Sequence, residues 1–554
     1  MKKGKKRVSI LLCGMILLSS VVMSACSNQA EPQQGEEKST SAANVNPAGE
    51  FPICKEPITI QVGIIQNANV EDFDSNALTL WYEEKGNFDL QFEYFPAKLT
   101  EAQQKLEIMV ASGGELPEVL IGFEASEESV LNYGIQGAVI PLNSYIEEYG
   151  YYINSILDDV QNKEIINWMA SADGNVYYLG KANEQIGNMY ALRSWINQTW
   201  LDNLGLDMPT TTEEFYDVLK AFVTQDPNGN GTADEIGMIG GTGWRSAAHD
   251  FLMNAFIYND TDCRWLVQDG KLDVAFNKPE WRDGLSYLNR LVSEGLLLPQ
   301  SFTMDDSQVR QLTEAGEQSQ VGVITAGTLA NVFSATNERK TEYVPLPPLT
   351  DPDGACYATY FPVIPIKNFM ITKDAKNPEA IFRWGDLMFS EEGYKRTRWG
   401  IPETDWKEPE SDDHSLLEDI GIPASIVPIL PWGSVQNSHW NYITAGIIPY
   451  GVTDGQVLSD DPLNADIWVA QAIPYYQGKE AQERADLLKY SLEEAEEIRE
   501  MKNTIYTYVK ESMARFAVGD LNIETDWDSY CAEFDAMGLD KYLEYSQNAY
   551  ERAK

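Results

Sequence analysis

Histidine is almost missing from this chain of 554 residues: only His249, His414 and His439 occur. None belongs to an HExxH pair, which excludes the helical zinc-protease arrangement, where two imidazoles must lie one turn apart. There is no GxSxG elbow and no Gly-rich P-loop, so the usual signs of a serine hydrolase and of a nucleotide-phosphate cradle are absent. Cysteine is scarce as well. Beyond the N-terminal segment Cys54, Cys263, Cys356 and Cys531 are widely spaced with no CxxC pair, which leaves neither a zinc cage nor a redox couple. One or two disulfides and isolated buried thiols both stay open. Basic residues are outnumbered, 41 Lys and Arg against 85 Asp and Glu, for a formal net charge of −44. Phosphate backbones and anionic headgroups call for a basic surface, so nucleic acid is excluded and an anionic lipid surface would be repelled. No internal repeat is visible, and no second apolar run long enough to span a membrane.

What is present suits a packed globular protein: 43% hydrophobic and 11% aromatic residues, over a length that allows more than one core. The N-terminus carries an address. A basic "MKKGKKR" precedes the apolar run 8–23, which is shorter than the roughly 20 residues a spanning helix needs and reads as an export signal. Ser24 and Ala25 then precede Cys26, which resembles the bacterial lipobox. Such a Cys is acylated and becomes the mature N-terminus, and loss of residues 1–25 leaves the chain more acidic still. Residues 26–50 have almost no large apolar side chains and are expected to form a flexible tether behind the acylated Cys26.

From Pro57 onward, strands alternate with helices. "ITIQVGII" (58–65), "FDLQFEYFP" (88–96), "PEVLIG" (117–122) and "QVGVITAG" (320–327) are β-rich. The segments 75–86, 100–114, 210–222 and 279–295 carry helical spacing. In the third of these Phe215, Val218, Leu219 and Phe222 fall on one face, behind a capping box of Thr211 and Glu214. This alternation predicts βαβ units and sheets covered on both faces. The segment 481–516 reads as the longest helix.

The stretch "QDPNGNGTADEIG" (225–237) spaces hard oxygens as the first half of an EF-hand does. Asp226, Asn228, Asn230 and the carbonyl of Thr232 take positions 1, 3, 5 and 7, with Gly231 at the turn. Position 12 is Gly237, so Asp234 and Glu235 must close the shell, and "GMIGG" supplies no exit helix. One structural Ca²⁺ is the expected cofactor, a staple and not a sensor.

Several phrases together resemble bacterial extracellular solute-binding proteins of family 1, in the large Gram-positive lipoprotein branch. They are "INQTWLDNLGLDMPTTTEEFYDVLKAFVTQDPNGNGTADEIG" (196–237), "KLEIMVASGGELPEVL" (105–120), "DGNVYYL" (173–179), "SEGLLLPQSF" (293–302), "KDAKNPEAIFRWGDLMFSEEGYKRTRWG" (373–400) and the last 28 residues. One departure is Thr199, where the family usually places an acid before the tryptophan. The resemblance implies an α/β, bilobal, type II periplasmic-binding-protein-like fold, with two α/β lobes, a hinge and a helical C-terminal extension. The expected boundaries are 51–177 for the first lobe, 178–315 for the second, 316–370 for the return to the first and 371–554 for the second-lobe return and C-terminal helices. It also implies a monomer, lipid-anchored outside the cell, that hands a small-molecule solute, most often an oligosaccharide or sugar derivative, to an ABC-transporter permease without catalysis. The family's calcium-binding members carry the same Asp, Asn, Asn, carbonyl, Asp, Glu pattern.

Sugars pack their C–H patches on aromatic faces and fix their hydroxyls with a few polar groups. Aromatics in loop contexts are therefore the ligand candidates: Trp244, Trp399, Trp432, Trp440 and Tyr360, with Arg245 and Asp250 as polar partners. Trp195 and Asn197 join them because the family's ligand contacts fall near that point. Trp200 and Trp384 lie in helical patterns and are expected in the core. A peptide or other non-sugar solute is the alternative ligand. A surface glycan-degrading enzyme is the alternative activity, because counting acids leaves a glycosidase-like carboxylate pair open. The acidic surface disfavours an anionic ligand unless a local basic cleft overrides it.

Overall fold

The computed structural model describes residues 38–157, 167–430, 434–458 and 463–554. Two sheets organise the chain from Ser41 onward. The first is built from β1 (Ile58–Ile65), β2 (Phe88–Phe95), β3 (Val119–Ile121), β4 (Leu179–Asn183), β11 (Ile366–Ile371) and β14 (Gly446–Ile448), in the order β14-β4-β11-β3-β1-β2. The second has β5 (Ser194–Asn197), β6 (Ile236–Ile239), β9 (Val321–Thr325) and β10 (Tyr343–Leu346), in the order β10-β5-β9-β6. Two small hairpin-like pairs complete the set, β7 (Trp265–Gln268) with β8 (Lys271–Val274) and β12 (Trp406–Lys407) with β13 (Val427–Pro428).

The sheets are mixed. β1 runs parallel to β2, from Ile58 opposite Phe88 to Ile65 opposite Phe95, and parallel to β3, whereas β11 runs antiparallel to β3 and β4. Helices cover both faces, so the inner strands read as near-continuous apolar runs rather than alternating ones. β1 shows this: Ile60, Val62, Ile64 and Ile65 are all buried.

Each sheet carries its own core. The first gathers Ile60, Leu120, Tyr82, Trp384 and Trp440; the second gathers Trp195, Trp200, Phe222, Trp281 and Leu288. The helix Thr212–Thr224 starts at the expected capping box and buries Phe215, Val218, Leu219 and Phe222. Its Phe222 ring meets Trp200 edge-on at 5.2 Å. The C-terminal helices Leu492–Val518, Ile523–Met537 and Leu539–Ala553 all add to the second core, through Phe516, Tyr530, Phe534 and Tyr542.

The two-lobed α/β fold with its helical C-terminal region is thus present, but the expected lobe boundaries need correction. Strands β9 and β10 lie within the expected first-lobe return at 316–370, yet they pair in the second sheet. The return comes at β11, and residues through β14 stay with the first sheet, so 371–554 is not a single second-lobe segment. A buried parallel strand carries the same apolar signature in either lobe, so local pattern does not assign it to a sheet. Segments 184–193, 347–365 and 449–458 therefore lie on the runs of chain between the sheets. Two of them touch directly: Phe361 N–H donates to Met189 O at 2.8 Å, and the Tyr190 and Tyr360 rings meet edge-on at 5.6 Å.

The long helix also begins later than its pattern suggests. It starts at Leu492, where Ser491 and Glu494 form a capping box, and 481–490 is extended chain. Among the described residues no helix is long and apolar enough to cross a membrane. The expected leader and the lipidated Cys26 lie outside the described residues. Cys54, Cys263, Cys356 and Cys531 are free thiols.

Candidate functional site

A cavity of about 680 Å³ opens where the second lobe meets the crossing segment. Tyr258, Asp260, Thr261, Asp262 and Cys263 line one side, and Tyr360, Phe361, Pro362 and Ile364 of the crossing segment line another. Arg484, Asp486, Leu488 and Tyr490 come from the extended stretch before the long helix, and Lys502 from the helix itself. A second cavity of about 350 Å³ shares Arg245, Thr261 and Asp262 with the first. It is bounded by the loop Gly241–Ser246, His249, Asp250, Arg264, Phe302, Tyr506 and Lys510. The two cavities adjoin at these shared residues, making a cleft in two parts, the first of a size suited to a small ligand.

Its walls are built by specific contacts. Asp260 accepts from the backbone N–H of Asp262, Arg264 and Trp265, at 2.9, 2.6 and 3.1 Å, which ties 260–265 into a tight turn. Within it Thr261 (φ +69°) and Arg264 (φ +58°) adopt left-handed backbone, which is unusual for a β-branched residue such as Thr261. Asn259 Oδ1 helps hold Thr261 by accepting its N–H at 2.9 Å. Burial pushes the Cys263 thiol up to about 12, with Asp260 and Asp262 adding to the shift, so it stays protonated and unreactive. Arg484 pairs with Asp486 at 3.0 Å and lays its guanidinium 4.2 Å from the Tyr360 ring centre.

The candidate residues divide sharply. Arg245, Asp250 and Tyr360 line this cleft, whereas Trp244 lies beside Arg245 in the same loop and lines neither cavity. Trp244 is 46% exposed, and its ring covers Gly327 so closely that any side chain at 327 would collide with it. Arg245 (φ +55°) holds its guanidinium 3.3 Å from the Phe361 ring centre. Burial lowers the Arg245 pKa from its ordinary value, against the pull of Asp262. Asp250 borders the second cavity but is consumed internally, accepting from Asn259 Nδ2 at 2.9 Å and from Arg264 at 3.2 Å.

Four others are structural. Trp195 is fully buried and donates from Nε1 to Ala326 O at 2.8 Å. Asn197 caps the helix Gln198–Leu204 by accepting the Trp200 N–H at 3.0 Å, and its Nδ2 donates to Glu342. Trp440 is fully buried among Phe73, Tyr82, Phe92 and Trp384, and donates to Thr79 Oγ1 at 2.9 Å. Trp399 packs in a small satellite cluster with Tyr394, Trp406 and Tyr442. Their Gly-, Pro- and Asn-rich surroundings turn the backbone, but the indole rings still point inward. Trp200 and Trp384 lie in the core. Trp432 lies outside the described residues.

The turn 258–265 and the stretch 484–490 were missed in sequence. The pair Ser491 and Glu494, spaced as a capping box, was the available sign that the helix begins after Tyr490. For the turn, the run "YNDTDCRW" was the only signal.

The oxygen-rich loop lies between the helix Thr212–Thr224 and β6. Its polar groups are turned on one another: Gly231 N–H donates to Asp226 at 3.0 Å, Thr232 N–H to Asn230 Oδ1 at 2.6 Å, and Asn230 Nδ2 to Asp234 at 3.0 Å. Gln320 also donates to Asp234, and Asn228 Nδ2 to Ser319 O at 3.2 Å. Among the described residues no group of three or more His, Cys, Asp or Glu stands in metal-ligating geometry. One observation fits a missing cation, however. Glu235 Oε1 is buried with no partner, and burial, with Asp226 and Asp234 nearby, raises its pKa above the ordinary carboxylate value.

Comparison with known proteins places these features. The fructooligosaccharide ABC transporter substrate-binding protein FusA of Streptococcus pneumoniae is 27% identical over 459 residues, spanning 80% of this chain and 81% of its own. The polygalacturonan/rhamnogalacturonan-binding protein YtcQ of Bacillus subtilis is 25% identical over 239 residues, 42% of this chain and 44% of its own. Among solved structures, FusA with kestose superposes with a TM-score of 0.66 at 23% identity, over 89% of this chain and 99% of its own. FusA has also been solved as an EF-hand mutant with fructo-nystose. An extracellular solute-binding protein of Bifidobacterium longum subsp. infantis reaches a TM-score of 0.71 at 19% identity, over 90% and 98% of the two chains. Residues 67–395 match the family described as bacterial extracellular solute-binding protein, and the chain belongs to that family.

Proposed function

We propose that this protein captures an oligosaccharide in the cleft around Arg245, Tyr360 and Phe361 and presents it to the permease of an ABC transporter. The observation that carries this reading is the position of the crossing segment. Tyr360 and Phe361 line the cleft and also touch Tyr190 and Met189 of a second crossing segment. A solute held there therefore contacts the elements that must bend when the lobes close, and differential binding shifts the population toward the closed form. Trp244, Tyr360 and Tyr258 offer aromatic faces for sugar rings. The similarity to FusA, named for fructooligosaccharides, and to YtcQ, named for polygalacturonan and rhamnogalacturonan, supports a carbohydrate over a peptide.

The protein works in this reading as a monomer outside the cell, anchored through lipid on Cys26, with no chemistry of its own. Asp226, Asn228, Asn230, Thr232, Asp234 and Glu235 hold Ca²⁺, whose charge relieves the crowding of the three carboxylates and fixes that corner of the second lobe. The unpartnered Glu235 oxygen and the EF-hand named in FusA support this.

Calorimetric titration with a panel of oligosaccharides and peptides tests the reading. Saturable binding of a glycan without turnover is expected. Binding of peptides alone would replace the sugar, and hydrolysis of the glycan would replace the carrier with an enzyme.

A further inference from the structure

Acids outnumber bases two to one in this chain, so a basic group without an acid partner stands out wherever it occurs. Three such groups border the cleft. Arg245, Lys502 and Lys510 form no hydrogen bond and no ion pair with any carboxylate among the described residues. The cleft's other charges are answered internally: Arg264 by Asp250, Arg484 by Asp486, and Asp260 by backbone N–H groups. Counted by side chain, the lining carries five cationic groups (Arg245, Arg264, Arg484, Lys502 and Lys510) against four carboxylates (Asp250, Asp260, Asp262 and Asp486), with Asp262 acting on Arg245, so the cleft holds a surplus of positive charge in a strongly acidic chain.

Arg245 is also held in place. Its backbone is left-handed, its guanidinium carbon rests 3.3 Å from the Phe361 ring centre, and its buried Nε has no partner. Left-handed strain at a non-glycine residue persists only where the surroundings over-determine it, and it concentrates at ligand clamps. A fixed guanidinium with free edge donors matches the paired oxygens of a carboxylate or sulfate.

We propose that the cleft reads negative charge on its solute, so that the preferred ligand is an acidic oligosaccharide whose carboxylate or sulfate meets Arg245 within the field of Lys502 and Lys510. This rests on the solute-binding reading above and narrows it. It also reverses the expectation from net charge, because the local surplus at the cleft opposes the global field.

The test is calorimetric titration of the full chain with trigalacturonate, trimannuronate, a sulfated carrageenan tetrasaccharide, and neutral galactotriose and mannotriose, at low and high NaCl. At least one acidic glycan is expected to bind about tenfold or more tighter than the neutral sugars, as charged hydrogen bonds allow, with the margin narrowing as salt rises. Uronate binding and sulfate binding would each support the inference and identify the anion. Arg245→Gln is expected to weaken the acidic glycan several-fold more than the neutral sugars and so erase most of the margin, and Lys502→Gln to reduce the salt dependence. Thermal melts confirm that both variants fold. Neutral sugars binding as tightly as acidic ones, or Arg245→Gln weakening both equally, would overturn the charge reading and leave the carrier function standing. Binding of no glycan at all would overturn both.

Discussion

The guanidinium of Arg245 lies 3.3 Å from the centre of the Phe361 ring. Arg245 belongs to the loop after β6 of the second lobe, and Phe361 to a segment that carries the chain back to the first. This contact joins a cleft wall to a crossing segment, which on the proposed reading is where a bound solute acts on closure.

Replacing Phe361 with Ala should free the guanidinium and lower solute affinity by about tenfold, since a partly desolvated cation–π contact is worth about 1–2 kcal/mol. Phe361→Tyr should restore most of it. Equal losses in both variants would mean that the ring contributes shape rather than a face for the cation. Calorimetry on the two variants separates these outcomes.

Trp244 and Trp440 should behave in opposite ways. Trp244 is 46% exposed in the loop that carries the cleft residue Arg245, so Trp244→Ala should weaken solute binding and change the melting temperature of the empty protein little. Trp440 is fully buried among four aromatic rings, so Trp440→Ala should cost about 3–5 kcal/mol of stability. Urea unfolding and ligand titration of each variant check this. A stable Trp440→Ala protein with lost affinity would move that residue to the ligand.

These two tryptophans also mark what could be read from the chain. Both stand in Gly-, Pro- or Asn-rich stretches, and that composition reports a turning backbone, not where the side chain goes. Burial depends on what packs against the turn, and for Trp440 those partners, Phe73 and Phe92, lie more than 300 residues away. Local patterns served better where local forces dominate. The helix at 212–224 was legible because its capping box and apolar stripe are self-contained. β1 was legible to the residue because six Ile, Thr and Val residues crowd into the eight that follow Pro57. Sheet membership was not legible for β9, since its partners β5 and β6 are chosen by tertiary contact. The stretch 484–490 was lost for a related reason: its helical spacing continues into a real helix, and only the cap at Ser491 separates them.

Chelation should separate the calcium loop from the cleft. If a cation neutralises Asp226, Asp234 and Glu235, removing it lowers stability by about RT ln(1 + [Ca²⁺]/Kd), or about 3 kcal/mol at a hundredfold excess over Kd. The expected result of EDTA is a melting temperature lower by a few degrees with nearly unchanged solute affinity in the folded protein. Glu235→Gln should melt at least as high as the parent in EDTA, because a crowded charge is gone, and gain less from added Ca²⁺. If chelation abolished solute binding in a protein that is still folded, the loop would belong to the binding machinery.

His439 supplies the pH dependence. Its ring is buried in the first lobe, accepts the Asn441 N–H on Nδ1 at 3.0 Å, and has its pKa lowered by burial to about 4. The folded state therefore resists protonation that the unfolded chain accepts near the ordinary value of about 6.5. Above that value the group has no effect on stability. As pH falls from about 6.5 toward 4 the unfolded chain binds the extra proton, and stability declines by up to about 1.4 kcal/mol per pH unit from this residue. His249, also lowered by burial, acts in the same direction. Urea unfolding between pH 7 and 4.5 should show a steeper loss for the parent than for His439→Asn, whose amide can still accept the Asn441 N–H but takes up no proton. Parallel curves would place the acid sensitivity in the carboxylates alone.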